Sequence, residues 1–106
     1  MLLNETQLKN NILDWLKYNK IFSWLNNTQG NYNSKTNSYY KNNRLLAGVA
    51  DIICLHKGLS IFIECKIGKN KQTAMQILFQ KNVEKNGGIY LLIYKLDDVI
   101  NFFKNK

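Results

Sequence analysis

Between Gly48 and Gly68 the chain reads GVADIICLHKGLSIFIECKIG, two short apolar stretches divided by Lys57-Gly58. No other feature restricts the fold as tightly. Runs of Ile, Val, Leu and Phe this short, bounded by glycines, predict two strands joined by a tight turn and buried near the middle of a sheet. Three charges interrupt them: Asp51, Glu64 and Lys66. Strand side chains alternate between faces, so Glu64 and Lys66 point one way while Ile63, Cys65 and Ile67 point the other. Removing an ion from water costs several kcal/mol by order of magnitude, so two acids and a lysine in such a place must be compensated. Spacing leaves two solutions open. One is a buried Glu–Lys or Asp–Lys ion pair that only holds the sheet. The other is a pair of carboxylates converging on a hard divalent cation such as Mg²⁺, which takes one or two acids plus waters and phosphates.

A chain of 106 residues is long enough for one compact domain, 1–106, and too short for two. No apolar run approaches the roughly 18 residues of a membrane span. Met1 to Glu5 lack the basic and apolar regions of a secretory signal, so cytoplasmic residence is expected. Cys54 and Cys65 both fall inside the apolar stretches, where a reduced thiol behaves as a small hydrophobe. Without further Cys or His nearby they form no zinc site. His56, the lone histidine, falls at the end of a strand and is expected on the surface of the turn, with no chemistry. The formal charge of +8 favours a polyanionic partner, nucleic acid first. Arg44 is the only arginine, and the abundance of Lys and Asn also matches A+T-rich coding.

In chain order, Asn4 to Asn19 predicts an amphipathic helix with Leu8, Ile12, Trp15 and Leu16 on its inner stripe and Asn4 as N-cap. Glu5 falls on that stripe, either as an acid favoured by the helix dipole or as a third acid near Asp51 and Glu64. Ile21 to Asn27 predicts a first strand. Thr28 to Asn43 has no aliphatic residue and predicts a long loop, either an insertion without function or a nucleic-acid contact. In the second case Tyr32, Tyr39 and Tyr40 would stack on bases, and Lys35, Lys41 and Arg44 would meet phosphates. Thr73 to Asn86 predicts a second helix, with Ala74, Ile77, Leu78 and Val83 inward. Thr73 and Gln76 fit a capping box, and Gln76 is also close enough in sequence to reach the charged strand. Gly87-Gly88 ends that helix, Ile89 to Tyr94 predicts a last buried strand, and Leu96 to Phe103 a short closing helix.

Asp51 followed by Glu64-Cys65-Lys66 resembles the acid and E-x-K elements of the PD-(D/E)xK nuclease superfamily. More narrowly, the chain resembles the virus-type replication-repair nuclease (VRR-NUC) domain of stand-alone phage and viral proteins. The resemblance rests on Gly48-Val49-Ala50-Asp51, on the E-x-K strand followed by a Thr-x-x-Gln helix start, and on Gly87-Gly88 before the last strand. The acid Glu5 on the first helix and the turn near Asn27 and Gly30 fit as well. It covers nearly the whole chain, least of all 28–43. Many relatives carry Pro before the first acid, where this chain has Ala50.

The resemblance implies an α/β fold with a restriction-endonuclease-like αβββαβ core, a small mixed sheet flanked by helices. It implies a Mg²⁺- or Mn²⁺-dependent endonuclease hydrolysing phosphodiester bonds in DNA. Asp51, Glu64 and the carbonyl of Cys65 would ligate the cation, with Glu5 joining directly or through water. Lys66 would orient the attacking water and stabilise charge, and Gln76 would hold that water or Lys66. Lys69 and Lys71 would meet the flanking backbone. Such proteins act on branched DNA such as four-way (Holliday) junctions. Cutting both strands symmetrically needs two sites, hence a homodimer. The expected partners are branched DNA and a second copy, with no membrane and no small-molecule cofactor, in a bacterial or phage-infected cell. Two alternatives stay open: a nicking, flap or restriction-type nuclease, and a non-catalytic basic DNA-binding module.

Overall fold

The fold is given by a computed structural model that describes residues 3–26, 31–33, 38–40, 46–104 and 106. The first helix, α1 (Glu5–Tyr18), starts where the sequence sets its cap. Asn4 Oδ1 accepts from the Gln7 N–H at 2.8 Å, and Gln7 Oε1 accepts from the Asn4 N–H at 3.0 Å. Leu8, Ile12 and Leu16, one turn apart, are all but fully buried. Each such side chain contributes ~1.5–3 kcal/mol relative to exposure. Trp15 packs at the edge of that core.

Four strands form the main sheet: β1 (Phe22–Leu25), β4 (Ile52–His56), β5 (Leu59–Cys65) and β6 (Ile89–Ile93), in the order β1-β4-β5-β6. The first two contacts are antiparallel and the last is parallel, so the sheet is mixed. The two central strands are the two apolar stretches of the sequence. Their connection is Lys57-Gly58, both with positive φ (51° and 81°), between the paired residues His56 and Leu59. A two-residue loop with both φ positive matches the twist of a hairpin, and glycine adopts that conformation without strain. The parallel contact requires a crossover, which α2 (Ala74–Lys85) provides. A last helix, α3 (Leu96–Phe103), follows β6, and Asp98 Oδ2 accepts from the N–H groups of Tyr94 and Lys95 at its start.

Period-two alternation divides the core between the two faces. Ile52, Cys54, Ile61, Ile63, Cys65 and Ile93 pack with Leu8, Ile12, Leu16, Val99 and Phe103 of α1 and α3. On the other face Phe62 and Leu92 pack with Ala50, Phe79, Val83 and Tyr90. The rings of Phe62, Phe79 and Tyr90 meet edge-on, 5.5 and 6.2 Å apart. The result is a small mixed sheet flanked by helices, as expected. No helix among the described residues is long and apolar enough to cross a membrane.

Three expectations are corrected. Ala74, Ile77 and Leu78 do not form the inner face of α2. All three are exposed, Ile77 by 41% and Leu78 by 51%, and Phe79 with Val83 makes the buried contact. The helix carries two apolar stripes, and the aromatic partners on the sheet select the one containing Phe79. The segment 28–43 is also not loop throughout: β2 (Asn31–Asn33) and β3 (Ser38–Tyr40) pair as a separate two-stranded antiparallel sheet. Backbone pairing needs no aliphatic side chain, which is why composition hides it. Asn27, Gly30, Lys35, Lys41 and Arg44, and the side chains of Tyr32, Tyr39 and Tyr40, lie outside the described residues. Both cysteines are free and fully buried, and burial pushes the Cys54 thiol up to about 12 and that of Cys65 up as well. His56 is half-buried, its ring edge-on to Phe103 at 5.5 Å instead of standing free on the turn.

Candidate metal centre

Three acids from three elements meet at one end of the sheet. Asp51 immediately precedes β4, and the antiparallel register pairs Ile52 with Ile63, so Asp51 lies across from Glu64 on β5. The first residue of α1 supplies Glu5. One carboxylate oxygen from each of Glu5, Asp51 and Glu64 lies within 4.8 Å of the others. Local structure fixes each one. The Asp51 carbonyl accepts from the Asn26 N–H at 2.8 Å, which ties the residue to the end of β1, and its Oδ2 accepts from the Cys65 N–H at 2.9 Å. Glu64 pairs with Leu92 of β6, one residue beyond the Ile63–Ile52 pair.

Gln76 satisfies both of its sequence-level roles at once. Its Oε1 accepts from the Thr73 N–H at 2.8 Å and its N–H donates to Thr73 Oγ1 at 3.2 Å, closing the capping box. The remaining end of the amide, Nε2, donates to Glu64 Oε2 at 3.2 Å. The cap therefore orients the amide toward the acid.

Glu64 is 2% exposed, and its Oε1 has no hydrogen-bond partner among the described residues. Burial is the main reason its carboxyl is pushed up from 4.5 to about 8. The Asp51 charge adds to the rise, the Lys66 charge opposes it, and the Glu5 charge adds a little more. A buried carboxylate oxygen without a donor is costly and uncommon. Hard oxygen donors, excess negative charge and one unsatisfied buried oxygen fit a divalent cation of the Mg²⁺ or Mn²⁺ type.

Lys66 is buried, 9% exposed, directly beyond β5, and its N–H donates to the Ile93 carbonyl at 2.9 Å. Among the described residues its ammonium has no carboxylate within 4.0 Å. The ion pair in this cluster belongs to Lys9, whose Nζ is 3.8 Å from Asp51 Oδ1. Sequence reading passes over Lys9. Its signal is the spacing from Glu5, one helical turn further along the same face of α1. Cys65 joins the cluster through its N–H, while Lys69 and Lys71 stand exposed on the connection to α2.

Gly48 holds the segment leading to Asp51 against the start of α2. Its φ is +75°, and a Cβ built on it would overlap the Met75 carbonyl oxygen and come 2.9 Å from Gln76 N. The close approach sets the distance between the segment that bears Asp51 and the helix that bears Gln76. Gly48→Ala is expected to cost about 3 kcal/mol or more, combining left-handed strain with a backbone overlap. Urea denaturation measures it, and a loss below about 1 kcal/mol would contradict the close approach. Ala50 is fully buried beside Phe79, Val83 and Tyr90.

No protein-family model and no curated protein matches this chain.

Proposed function

We propose that this protein is a divalent-cation-dependent endodeoxyribonuclease that acts on branched DNA as a homodimer. The observation that carries the reading is the Glu5–Asp51–Glu64 trio with a buried, unpartnered Glu64 oxygen inside it. The order of acid, E-x-K strand and Thr-x-x-Gln helix supports it, since that order resembles the VRR-NUC domain.

Asp51 and Glu64 would hold Mg²⁺ or Mn²⁺, with Glu5 and the Cys65 carbonyl completing the oxygen set. Such an ion supplies Lewis acidity, lowering the pKa of a bound water and offsetting charge on phosphate oxygens. The chain's own groups do the rest. Gln76 fixes the Glu64 carboxylate through Oε2 and leaves Oε1 free. The Lys66 ammonium, from the residue directly after β5, orients the attacking water and stabilises negative charge building on the phosphoryl oxygens. Lys69 and Lys71 meet the flanking backbone, a contact that positions DNA without reading sequence. A net charge of +8 supports a nucleic-acid partner in general.

One copy offers one site and one cut. Two-fold pairing would supply the second cut at a four-way junction. Support for self-association comes from the exposed apolar side chains Met75, Ile77 and Leu78, on the helix that carries Gln76.

The test is cleavage of labelled four-way junction, flap and plain duplex with Mg²⁺ or Mn²⁺, with light scattering on the same preparation. Paired cuts across the junction by a species of twice the chain mass are expected. Preference for flap or duplex would replace the substrate while keeping the chemistry. No cutting of any DNA with either cation would leave the basic DNA-binding module as the reading.

A further inference from the structure

Lys9 is the one cation paired within the acidic cluster among the described residues. Its position is intermediate between solvent and the acids: its side chain is 26% exposed and that of Asp51 20%. The two Asp51 oxygens are differently engaged. Oδ2 accepts from the Cys65 N–H, a bond that belongs to the fold. Oδ1 faces Lys9 Nζ at 3.8 Å, a distance at which the two charges attract without a short hydrogen bond. A divalent cation drawn to these carboxylates therefore meets the Lys9 ammonium at the Asp51 oxygen that the backbone leaves free. A univalent charge on a flexible four-carbon stem, partly in water, is easily moved.

We propose that Lys9 is an exchangeable counter-ion. It neutralises Asp51 while no divalent cation is bound, yields Oδ1 when one arrives, and then takes a DNA phosphate at the mouth of the site. The inference rests on the proposed function and assigns a residue outside the acid, E-x-K and Gln76 set. It also orders the events. Phosphate contact by Lys9 follows cation entry, because the same ammonium cannot serve Asp51 and phosphate equally at once.

The exchange has two opposite consequences for a variant that keeps the stem and loses the charge. Lys9→Met should bind Mn²⁺ about fivefold tighter or more, because a competing positive charge has gone. The same variant should bind a four-way junction several-fold more weakly in Ca²⁺, with the salt dependence of binding reduced by about one phosphate contact. Lys9→Arg, which keeps the charge, should restore wild-type Mn²⁺ affinity. Calorimetric titration of Mn²⁺ without DNA reads the first effect, and salt-dependent junction binding reads the second. Unchanged or weakened Mn²⁺ affinity in Lys9→Met, with wild type binding the ion, overturns the counter-ion role alone. Tighter Mn²⁺ binding with unaltered DNA affinity and salt slope overturns the hand-over to phosphate. A wild-type protein that binds no Mn²⁺ sinks the metal centre itself, and Lys9 with it.

Discussion

Asp51→Asn should leave the protein folded and reduce cation-dependent DNA cleavage on the order of 10³-fold or more. The carboxylate charge is what the proposed site needs, while the fold needs only an acceptor for the Cys65 N–H, which Asn provides. That bond is 2.9 Å long and links the entry of β4 to the end of β5. Stability should therefore shift by no more than about 1 kcal/mol. Asp51→Ala is a poorer probe. It would leave the Cys65 N–H unpaired inside the protein, at a cost of ~1–3 kcal/mol, and confuse lost chemistry with lost folding. Thermal melts, junction binding in Ca²⁺ and cleavage in Mg²⁺ on the Asn variant separate these effects. Retained cleavage would remove Asp51 from the catalytic set. Lost folding with no cleavage by wild type would make the cluster a structural one.

Glu64→Gln should stabilise the protein in the absence of divalent cations, increasingly so toward alkaline pH, and abolish cleavage. The sign follows from the direction of the shift. Burial first, and the Asp51 charge next, push the Glu64 carboxyl from 4.5 up to about 8 in the fold. Below 4.5 the group is protonated whether folded or unfolded, and it adds no pH dependence. Between 4.5 and 8 the unfolded chain has released the proton that the folded chain still holds, so wild-type stability falls as pH rises. Above 8 both states are ionised and the loss is complete. Each unit of separation corresponds to ~1.4 kcal/mol, so the full penalty is several kcal/mol. For a domain of this size each kcal/mol moves the melting temperature by ~4–8 °C.

Glutamine cannot ionise, so in a chelator Glu64→Gln and wild type should melt alike near pH 4, diverge up to about pH 8 and keep a constant separation above it. Saturating Mg²⁺ or Mn²⁺ should reverse the order. Only the wild-type carboxylate gains from the ion, and it gains most where the proton has already left. Parallel melting curves across that range would mean that Glu64 is not a buried, crowded carboxyl.

The parts of this structure legible in the sequence are those set by neighbours along the chain. The Asn4 cap and the Leu8–Ile12–Leu16 stripe depend on spacings of three and four. The Lys57-Gly58 turn and the alternation from Ile61 to Ile67 depend on a period of two. The Thr73–Gln76 box spans a single helical turn. Glu64 and Lys66 are exceptional in an otherwise apolar stretch, and that oddity marks the site in the sequence alone. Whether Glu5 serves the helix dipole or the cluster, and whether Gln76 caps or reaches inward, could not be read from spacing. Each choice depends on an element far away in the chain.

Local sequence, then, determined where helices and strands begin, which strands are central, and that charge has to be compensated among them. It could do so because those preferences come from dihedral geometry and from hydrogen bonds a few residues long. Tertiary structure alone decided which stripe of α2 is buried, because Phe62 and Tyr90 on the sheet offered aromatic partners to Phe79 and none to Leu78. It alone joined Glu5 to Asp51 and Glu64, and it gave Asp51 to Lys9 instead of Lys66. Those pairings follow from how helices lie across a sheet, a balance of packing over many residues that no short window of sequence contains.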